Sequence, residues 1–222
     1  MERRTLLGAG AAAIALGGGG WMLTQRGGQD SASNLLVGMA NAQEAEAVEI
    51  RDMVLGSDDA PVEVIEYASY TCPHCASFHA SAFKQLKQNY IDTGKVKFIY
   101  REVYFDRFGL WASMVARCGN GARFFEISDM IYEKQREWTA TGDPATIADE
   151  LQKIGLIAGL DQPTMDACMQ DGAFAQSLVG WFQANAERDG INSTPSFIID
   201  GQKYSNMAYS DFAALLDEKL AG

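Results

Sequence analysis

The alternation of apolar and polar residues in the first half of the chain predicts a strand, a helix and a second strand. Residues 62–68 read Val-Glu-Val-Ile-Glu-Tyr-Ala, a β-branched and aromatic run of strand length. From Cys75 to Tyr90 the apolar residues recur at helical spacing, and Gly94 supplies a stop. Strand character returns over residues 95–104. A helix between two strands predicts a parallel pair, with its chemistry at the carboxyl ends of the strands.

The middle of the chain shows no convincing strand. Between residue 106 and about residue 175, apolar residues recur at helical spacing in several segments, and a longer helix then returns the chain to the first unit. The predicted helices cover residues 110–118, 123–135, 146–154, 162–170 and 174–188. This pattern indicates a helical insertion within an α/β fold.

Strand character resumes near the end of the chain. Residues 196–199 and 202–204 are joined by an Asp-Gly turn, which is typical of a hairpin. An amphipathic helix over residues 210–220 closes the chain, and Ser210 is its predicted N-cap. The fold class is therefore α/β.

The N-terminus reads as a targeting segment. Residues 1–23 combine a basic start at Arg3 and Arg4 with an uncharged stretch of about 16 residues, shorter than the roughly 20 that a membrane-spanning helix needs. A small-residue cleavage site, Ala-Asn-Ala at residues 40–42, lies far beyond that stretch. A cleaved signal peptide and a retained membrane anchor both remain open, and residues 24–47 read as a flexible linker.

The charge balance excludes one class of partner. The chain has 18 Lys and Arg against 29 Asp and Glu, a net charge of -11. Because such a field repels phosphate backbones, no nucleic-acid partner is expected.

The Cys-Pro-His-Cys sequence carries the strongest chemical signal. With Cys72 as N-cap, Pro73 takes the first helical position, where its missing N–H costs nothing, and Cys75 follows one turn later. The helix N-terminus favours a thiolate at Cys72, and a protonated His74 adds to this effect. A low thiolate pKa stabilises the reduced form, so the motif predicts a disulfide donor.

The alternative interpretation of this motif is half of a zinc site, which needs about four ligands. The chain has only two histidines, His74 and His79, and its other cysteines, Cys118 and Cys168, lie singly in separate helical segments. We therefore expect no metal. An even number of cysteines in an exported protein favours a structural disulfide between Cys118 and Cys168, the alternative being two separate thiols.

Glu66 lies six residues before Cys72 and shares a strand face with Val62 and Val64. Because that strand is predicted to be central, we expect Glu66 to be buried, raising the Cys75 pKa or relaying its proton. A solvated edge residue is the alternative. His79 is interpreted as a helix-surface residue without a catalytic role.

These features together resemble one family. The Cys-Pro-His-Cys motif after a strand, the helical insertion, and Ser-Thr-Pro-Ser-Phe at residues 193–197 resemble DsbA-like thiol:disulfide oxidoreductases. The resemblance covers residues 48–220 and implies a thioredoxin fold with an inserted helical domain. In that family Cys72 is the nucleophile, Cys75 resolves the mixed disulfide, and Pro195 is a cis-proline facing the sulfurs.

The resemblance also implies a function. A periplasmic protein of this kind donates its Cys72–Cys75 disulfide to reduced, unfolded exported polypeptides through a mixed disulfide, and it needs no cofactor beyond that disulfide. A DsbB-like, quinone-linked membrane oxidase restores the disulfide. Thr194 departs from the Val that oxidases of this family often carry before the proline, so an isomerase or reductase is the alternative. A metal-binding or chaperone-like module is a third hypothesis.

The domain division follows from the insertion and the resemblance. We predict a first part of the thioredoxin domain over residues 48–105, a helical insertion over residues 106–175 and a second part of the thioredoxin domain over residues 176–222.

Overall fold

A five-stranded mixed sheet forms the centre of the computed structural model, which describes residues 48–222. The predicted signal or anchor and linker, residues 1–47, lie outside the described residues. The strands lie in the order β1-β3-β2-β4-β5, with β2 and β3 parallel and the other neighbours antiparallel. The strands are β1 (Met53–Leu55), β2 (Val62–Ala68), β3 (Val96–Glu102), β4 (Ser196–Ile199) and β5 (Gln202–Ser205).

Helices occupy most of the remaining chain. They are α1 (Pro73–Ala80), α2 (Ala82–Leu86), α3 (Arg107–Arg117), α4 (Phe124–Glu133), α5 (Gln135–Trp138), α6 (Pro144–Ile157), α7 (Gln162–Gln170), α8 (Gly172–Arg188) and α9 (Tyr209–Ala221). A π-helical turn, Lys87–Ile91, continues α2, and a 3-10 turn, Gly119–Gly121, follows α3. Within the described part of the chain, no helix is both long and apolar enough to span a membrane.

The sheet separates two apolar clusters. Alternate residues of β2, including Val62 and Val64, enter the larger cluster, which α1, α2, α9 and the helices between β3 and β4 also supply. Ile65 and Tyr67 point to the other face, where Phe182 of α8 packs. Because β2 has neighbours on both sides and is covered on both faces, residues at its carboxyl end are removed from solvent.

The helix after the Cys-Pro-His-Cys motif differs from the prediction. We expected one helix from Cys75 to Tyr90, but α1 and α2 are separated at Ser81, whose backbone leaves the helical region with φ -132° and ψ -76°. The Ser81 hydroxyl donates to the carbonyl of Ser77 at 2.8 Å, and its N–H donates to Phe78 at 3.2 Å. This local bonding replaces the regular helical pattern and turns the chain between α1 and α2.

Two further differences concern a strand and a helix start, and one predicted boundary falls within a helix. Strand β1 was missed, because three residues carry too short a pattern to predict a strand. The last helix begins at Tyr209 with Ala208 in the extended N-cap conformation, so the prediction of Ser210 as N-cap is wrong. Helix α8 runs unbroken across the predicted domain boundary between residues 175 and 176, and that division stays a prediction.

Candidate active site

The first cysteine lies where the central parallel strand ends and α1 begins. Cys72 is the N-cap of α1 in an extended conformation, with Pro73 at the first helical position. The Cys72 N–H donates to the carbonyl of Ser69 at 3.1 Å, and the Cys72 carbonyl accepts from Ala76 at 3.2 Å. The backbone thus turns tightly from strand to helix, and it places the Cys72 sulfur beside the free N–H groups of the helix N-terminus.

The two motif cysteines are both free thiols with different surroundings. Cys72 is 8% exposed and Cys75 is 0% exposed. A hydrogen bond from the Cys75 thiol, aided by the Thr194 side chain and by the backbone N–H groups of Cys75 and His74, lowers the pKa of Cys72 to about 5, although burial opposes the shift. Cys72 is therefore a thiolate at neutral pH, the form that attacks disulfides.

The second thiol is perturbed in the opposite direction. Burial, the hydrogen bond to Cys72 and the negative charge of Glu66 together raise the pKa of Cys75 far above its ordinary value. Cys75 therefore holds its proton at neutral pH. One pair of neighbouring cysteines thus combines a stabilised thiolate with a thiol that resists ionisation.

The loop before β4 faces the first cysteine. The Thr194–Pro195 peptide bond is cis. The Cys72 sulfur lies 3.5 Å from the carbonyl oxygen of Thr194, within range of a sulfur hydrogen bond. Strand β4, which this loop precedes, pairs with β2, so the sheet holds residues 72 and 194 together although 122 positions separate them.

Glu66 is fully buried in β2. Both of its carboxylate oxygens approach Nε2 of His79, at 2.9 and 3.2 Å. The expectation that His79 is a helix-surface residue is wrong, because its exposed fraction is only 5%. The spacing contained a signal for this: His79 lies four residues after Cys75, on the face that α1 turns to the core.

His74 contrasts with His79. Its side chain is exposed, and within residues 48–222 it makes no hydrogen bond. The His74 imidazole therefore makes no hydrogen bond through which it would stabilise the Cys72 thiolate. The backbone N–H of His74, in contrast, helps to lower the pKa of Cys72.

The helical insertion supplies contacts that the sequence did not reveal. Nε2 of Gln135, a buried residue, donates to the carbonyls of Tyr70 at 2.7 Å and Cys72 at 2.9 Å. The Thr71 hydroxyl donates to Asp106 at 2.9 Å, and the same carboxylate caps α3. Two points of the insertion therefore hold the loop that carries Cys72.

The other two cysteines lie within the insertion. Cys118 follows the end of α3 and is bonded through its sulfur to Cys168 of α7, with Cα atoms 5.9 Å apart. Across the described ranges, no cluster of three or more His, Cys, Asp or Glu side chains is arranged to hold a metal ion.

Comparison with known proteins agrees with this geometry. A family model described as Thioredoxin matches residues 49–218. A Rickettsia bellii protein named as a protein-disulfide oxidoreductase is 32% identical over 174 residues, which cover 78% of this chain and 66% of that protein. Disulfide bond formation protein D of Bacillus subtilis is 28% identical, with 76% of this chain and 77% of that protein covered. The chain spans slightly less than two thirds of the length of the Rickettsia relatives it matches.

Solved structures share the fold of this chain. The crystal structure of Wolbachia pipientis alpha-DsbA1 superposes with a TM-score of 0.70 at 27% identity, covering 80% of this chain and 95% of that one. Oxidised BdbD of Bacillus subtilis shares the fold with a TM-score of 0.68, covering 77% of this chain and 94% of that one. The expected thioredoxin fold with an inserted helical domain is therefore confirmed, as is the resemblance to DsbA-like proteins.

Proposed function

Given that this chain belongs to the thioredoxin family and has its DsbA-like form, we propose that it is a thiol:disulfide oxidoreductase that donates its Cys72–Cys75 disulfide to reduced exported polypeptides. A substrate thiolate attacks the Cys72 sulfur, and the bond to Cys75 breaks. A second substrate thiol then displaces Cys72, so two electrons pass from the substrate to the enzyme. The disulfide itself is the redox group, and no cofactor takes part.

The opposite pKa shifts of the two cysteines carry this proposal. The pKa of Cys72 is about 5, so the reduced enzyme is stabilised by a thiolate at neutral pH. Whatever stabilises the reduced form makes the disulfide a stronger oxidant. Cys72 is also the better leaving group when the second substrate thiol attacks the mixed disulfide, because a thiol of low pKa leaves faster.

The remaining predicted site residues have supporting roles in this proposal. Pro73 starts α1 and fixes the turn at Cys72, and the backbone of His74 adds an N–H group. The negative charge of Glu66 helps to keep Cys75 protonated. Thr194 and Pro195 form the edge of the site, where the backbone of Thr194 is suited to pair with an extended substrate.

We extend the proposal to location and partners. Residues 1–23 export the chain to the periplasm, as a signal peptide or as an anchor, and a DsbB-like quinone-linked membrane oxidase reoxidises Cys72 and Cys75. The insertion over residues 106–175 and the Cys118–Cys168 disulfide serve as a structural frame rather than as a redox centre. The names of the Bacillus subtilis and Wolbachia relatives support disulfide formation as the activity on which this extension rests.

Thr194 favours a second candidate function, a disulfide isomerase or reductase of the same fold. Its carbonyl lies 3.5 Å from the Cys72 sulfur, and its side chain also acts on the pKa of that thiol. A polar group beside the sulfur adjusts the balance between the thiolate and the disulfide.

The deciding experiment is the reduction potential of the Cys72–Cys75 couple against glutathione, with Cys118 and Cys168 intact. A potential well above the roughly -270 mV of thioredoxin supports a disulfide donor, and a value near it supports a reductase or isomerase. Oxidation of a reduced two-cysteine peptide by the full chain then tests the activity itself. A Cys72→Ser variant is the matched control, and oxidation that persists in it contradicts the proposal.

A further inference from the structure

A buried acid–imidazole pair lies behind the reactive cysteines. Glu66 is 0% exposed and His79 is 5% exposed, and Nε2 of His79 lies 2.9 Å from one carboxylate oxygen and 3.2 Å from the other. Helix α1 contributes both Cys75 and His79, four residues apart on one face. The carboxylate is near enough to Cys75 for its charge to raise the pKa of that thiol.

Cys75 needs a proton donor and acceptor, if the proposed function is correct. When a thiolate attacks Cys72, the electron pair of the broken S–S bond goes to the Cys75 sulfur, which then takes up one proton. When Cys72 is reoxidised through a mixed disulfide with an oxidant, Cys75 loses that proton before it attacks the Cys72 sulfur. Since Cys75 is completely buried, the proton cannot come directly from solvent.

His79 also lines a cleft. A cavity of about 530 Å³ lies between α1 and the helices α4 and α5, and His79 is part of its lining. Nδ1 of His79 is buried and has no hydrogen-bond partner in the described part of the chain. The ring stacks on Tyr132, with centroids 4.3 Å apart and planes 17° apart, so its orientation is fixed by packing.

We propose that His79 is a positioning residue that carries the proton of Cys75 between Glu66 and this cleft. On reduction of the disulfide, His79 gives the proton on Nε2 to Glu66, which passes one to Cys75, while Nδ1 takes a proton from the cleft. On reoxidation the same protons move in reverse. The imidazole suits this role because it exchanges protons at both nitrogens.

The other ionisable groups around His79 come from every element packed against it. They are Glu66 from β2, Tyr100 from β3, Cys75 from α1, Lys84 from α2, Asp129, Tyr132 and Glu133 from α4, and Arg136 from α5. Burial raises the pKa of Asp129, and a positive charge on His79, when it is protonated, acts against this shift. Asp129 is thus a neighbouring carboxyl at the cleft side of the imidazole.

The test measures one step in the full chain. Glutathione disulfide reacts with Cys72 to form a mixed disulfide, and Cys75 then resolves it. Rapid quenching followed by mass spectrometry gives the rate of each of these two steps. In His79→Gln the amide can still hydrogen-bond to Glu66 but cannot carry a proton. We expect resolution to slow by at least about tenfold, whereas the attack by Cys72 is unchanged.

A second variant guards against structural damage. His79→Ala opens space beside the cleft, and added imidazole should restore most of the resolution rate. Tyr132→Phe is the matched control, because it removes a buried hydroxyl that bonds to Tyr100 at 2.6 Å and keeps both the stacked ring and the imidazole; its resolution rate should stay within about twofold of wild type.

An unchanged resolution rate in His79→Gln overturns the proposal. A deficit that Tyr132→Phe shares, or one that imidazole does not relieve, overturns it as well. Failure of the proposed function is a separate result, because it appears as a wild-type chain that does not oxidise reduced peptides, whereas the glutathione assay needs only the two cysteines.

Discussion

The Cys72–Cys75 pair and the Cys118–Cys168 pair contain the same atoms at opposite ends of helices. Cys72 is the N-cap of α1, where free N–H groups and the helix dipole favour a negative sulfur. Cys118 is the C-cap of α3, and Cys168 lies in the last turn of α7, where the dipole disfavours a thiolate. A disulfide is broken most easily at a sulfur that leaves as a stable thiolate. Helix polarity therefore assigns exchange to one pair and permanence to the other.

The two pairs also differ in chain connection. Three positions separate Cys72 from Cys75, so their bond restricts the unfolded chain little, whereas Cys118 and Cys168 are 50 positions apart. A long closed loop reduces the entropy of the unfolded state and stabilises the fold. The second pair is suited to hold α3 and α7 together, and α3 also carries the Asp106 cap that contacts the active-site loop.

The largest effect is expected when the Cys118–Cys168 disulfide is removed. In a Cys118→Ala, Cys168→Ala variant, we expect the free energy of unfolding to fall by about 2–4 kcal/mol, because the constraint on the unfolded chain is lost. Urea unfolding measures this loss. The reduction potential of Cys72–Cys75 should stay within about 10 mV of wild type, since a tenfold change in its equilibrium needs about 30 mV. A larger shift would show that the two pairs are coupled.

The sequence predicted that one cysteine pair is redox-active and the other structural, because the signals for this difference are local. The segment Val62–Ala68 is rich in β-branched and aromatic residues, as a central strand is expected to be, and the observed strand has the same bounds. The first proline after Cys72 marks a helix start, which fixes the helix end at which the sulfur lies. These features depend on neighbours within a few residues, so they are visible without a structure.

The parts that sequence reasoning missed depend on packing between distant segments. The spacing from Cys75 places His79 on the core face of α1, but only the folded chain shows that Tyr132 of the helical insertion packs on its ring. Gln135 lies 63 positions from Cys72, and only the folded chain shows that its amide reaches the Cys72 carbonyl. No local pattern distinguishes a glutamine that bridges two domains from one that faces solvent.

That bridge gives the second prediction, which tests whether the insertion supports the active site. A Gln135→Leu variant leaves the carbonyls of Tyr70 and Cys72 without their side-chain donor, and we expect a loss of about 1–3 kcal/mol in unfolding free energy. A loosened N-cap should also raise the Cys72 pKa, measured by thiolate absorbance. Gln162→Leu is the control, because Gln162 is exposed on the insertion and bonds only within α7. Equal losses in both variants would contradict a specific bridge.

The smallest expected effect is a change in how the reduction potential depends on pH, and it reports the charge on the Cys72 sulfur directly. The pKa of Cys72 is lowered to about 5, whereas that of Cys75 is raised far above the working range. Below about pH 5, reduction of the disulfide takes up two protons with two electrons, so the potential should fall by about 59 mV per pH unit. Above that pH only Cys75 takes up a proton, and the slope should halve to about 30 mV per pH unit.

The low pKa of Cys72 also stabilises the folded reduced form. This stabilisation is complete above the pKa that the thiol has in the unfolded chain, and it is lost as the pH falls through about 5. Potentials measured against glutathione from pH 4 to 8 locate the break. A slope of about 59 mV throughout would mean that the helix N-terminus does not stabilise a thiolate, and that helix polarity does not distinguish the two pairs.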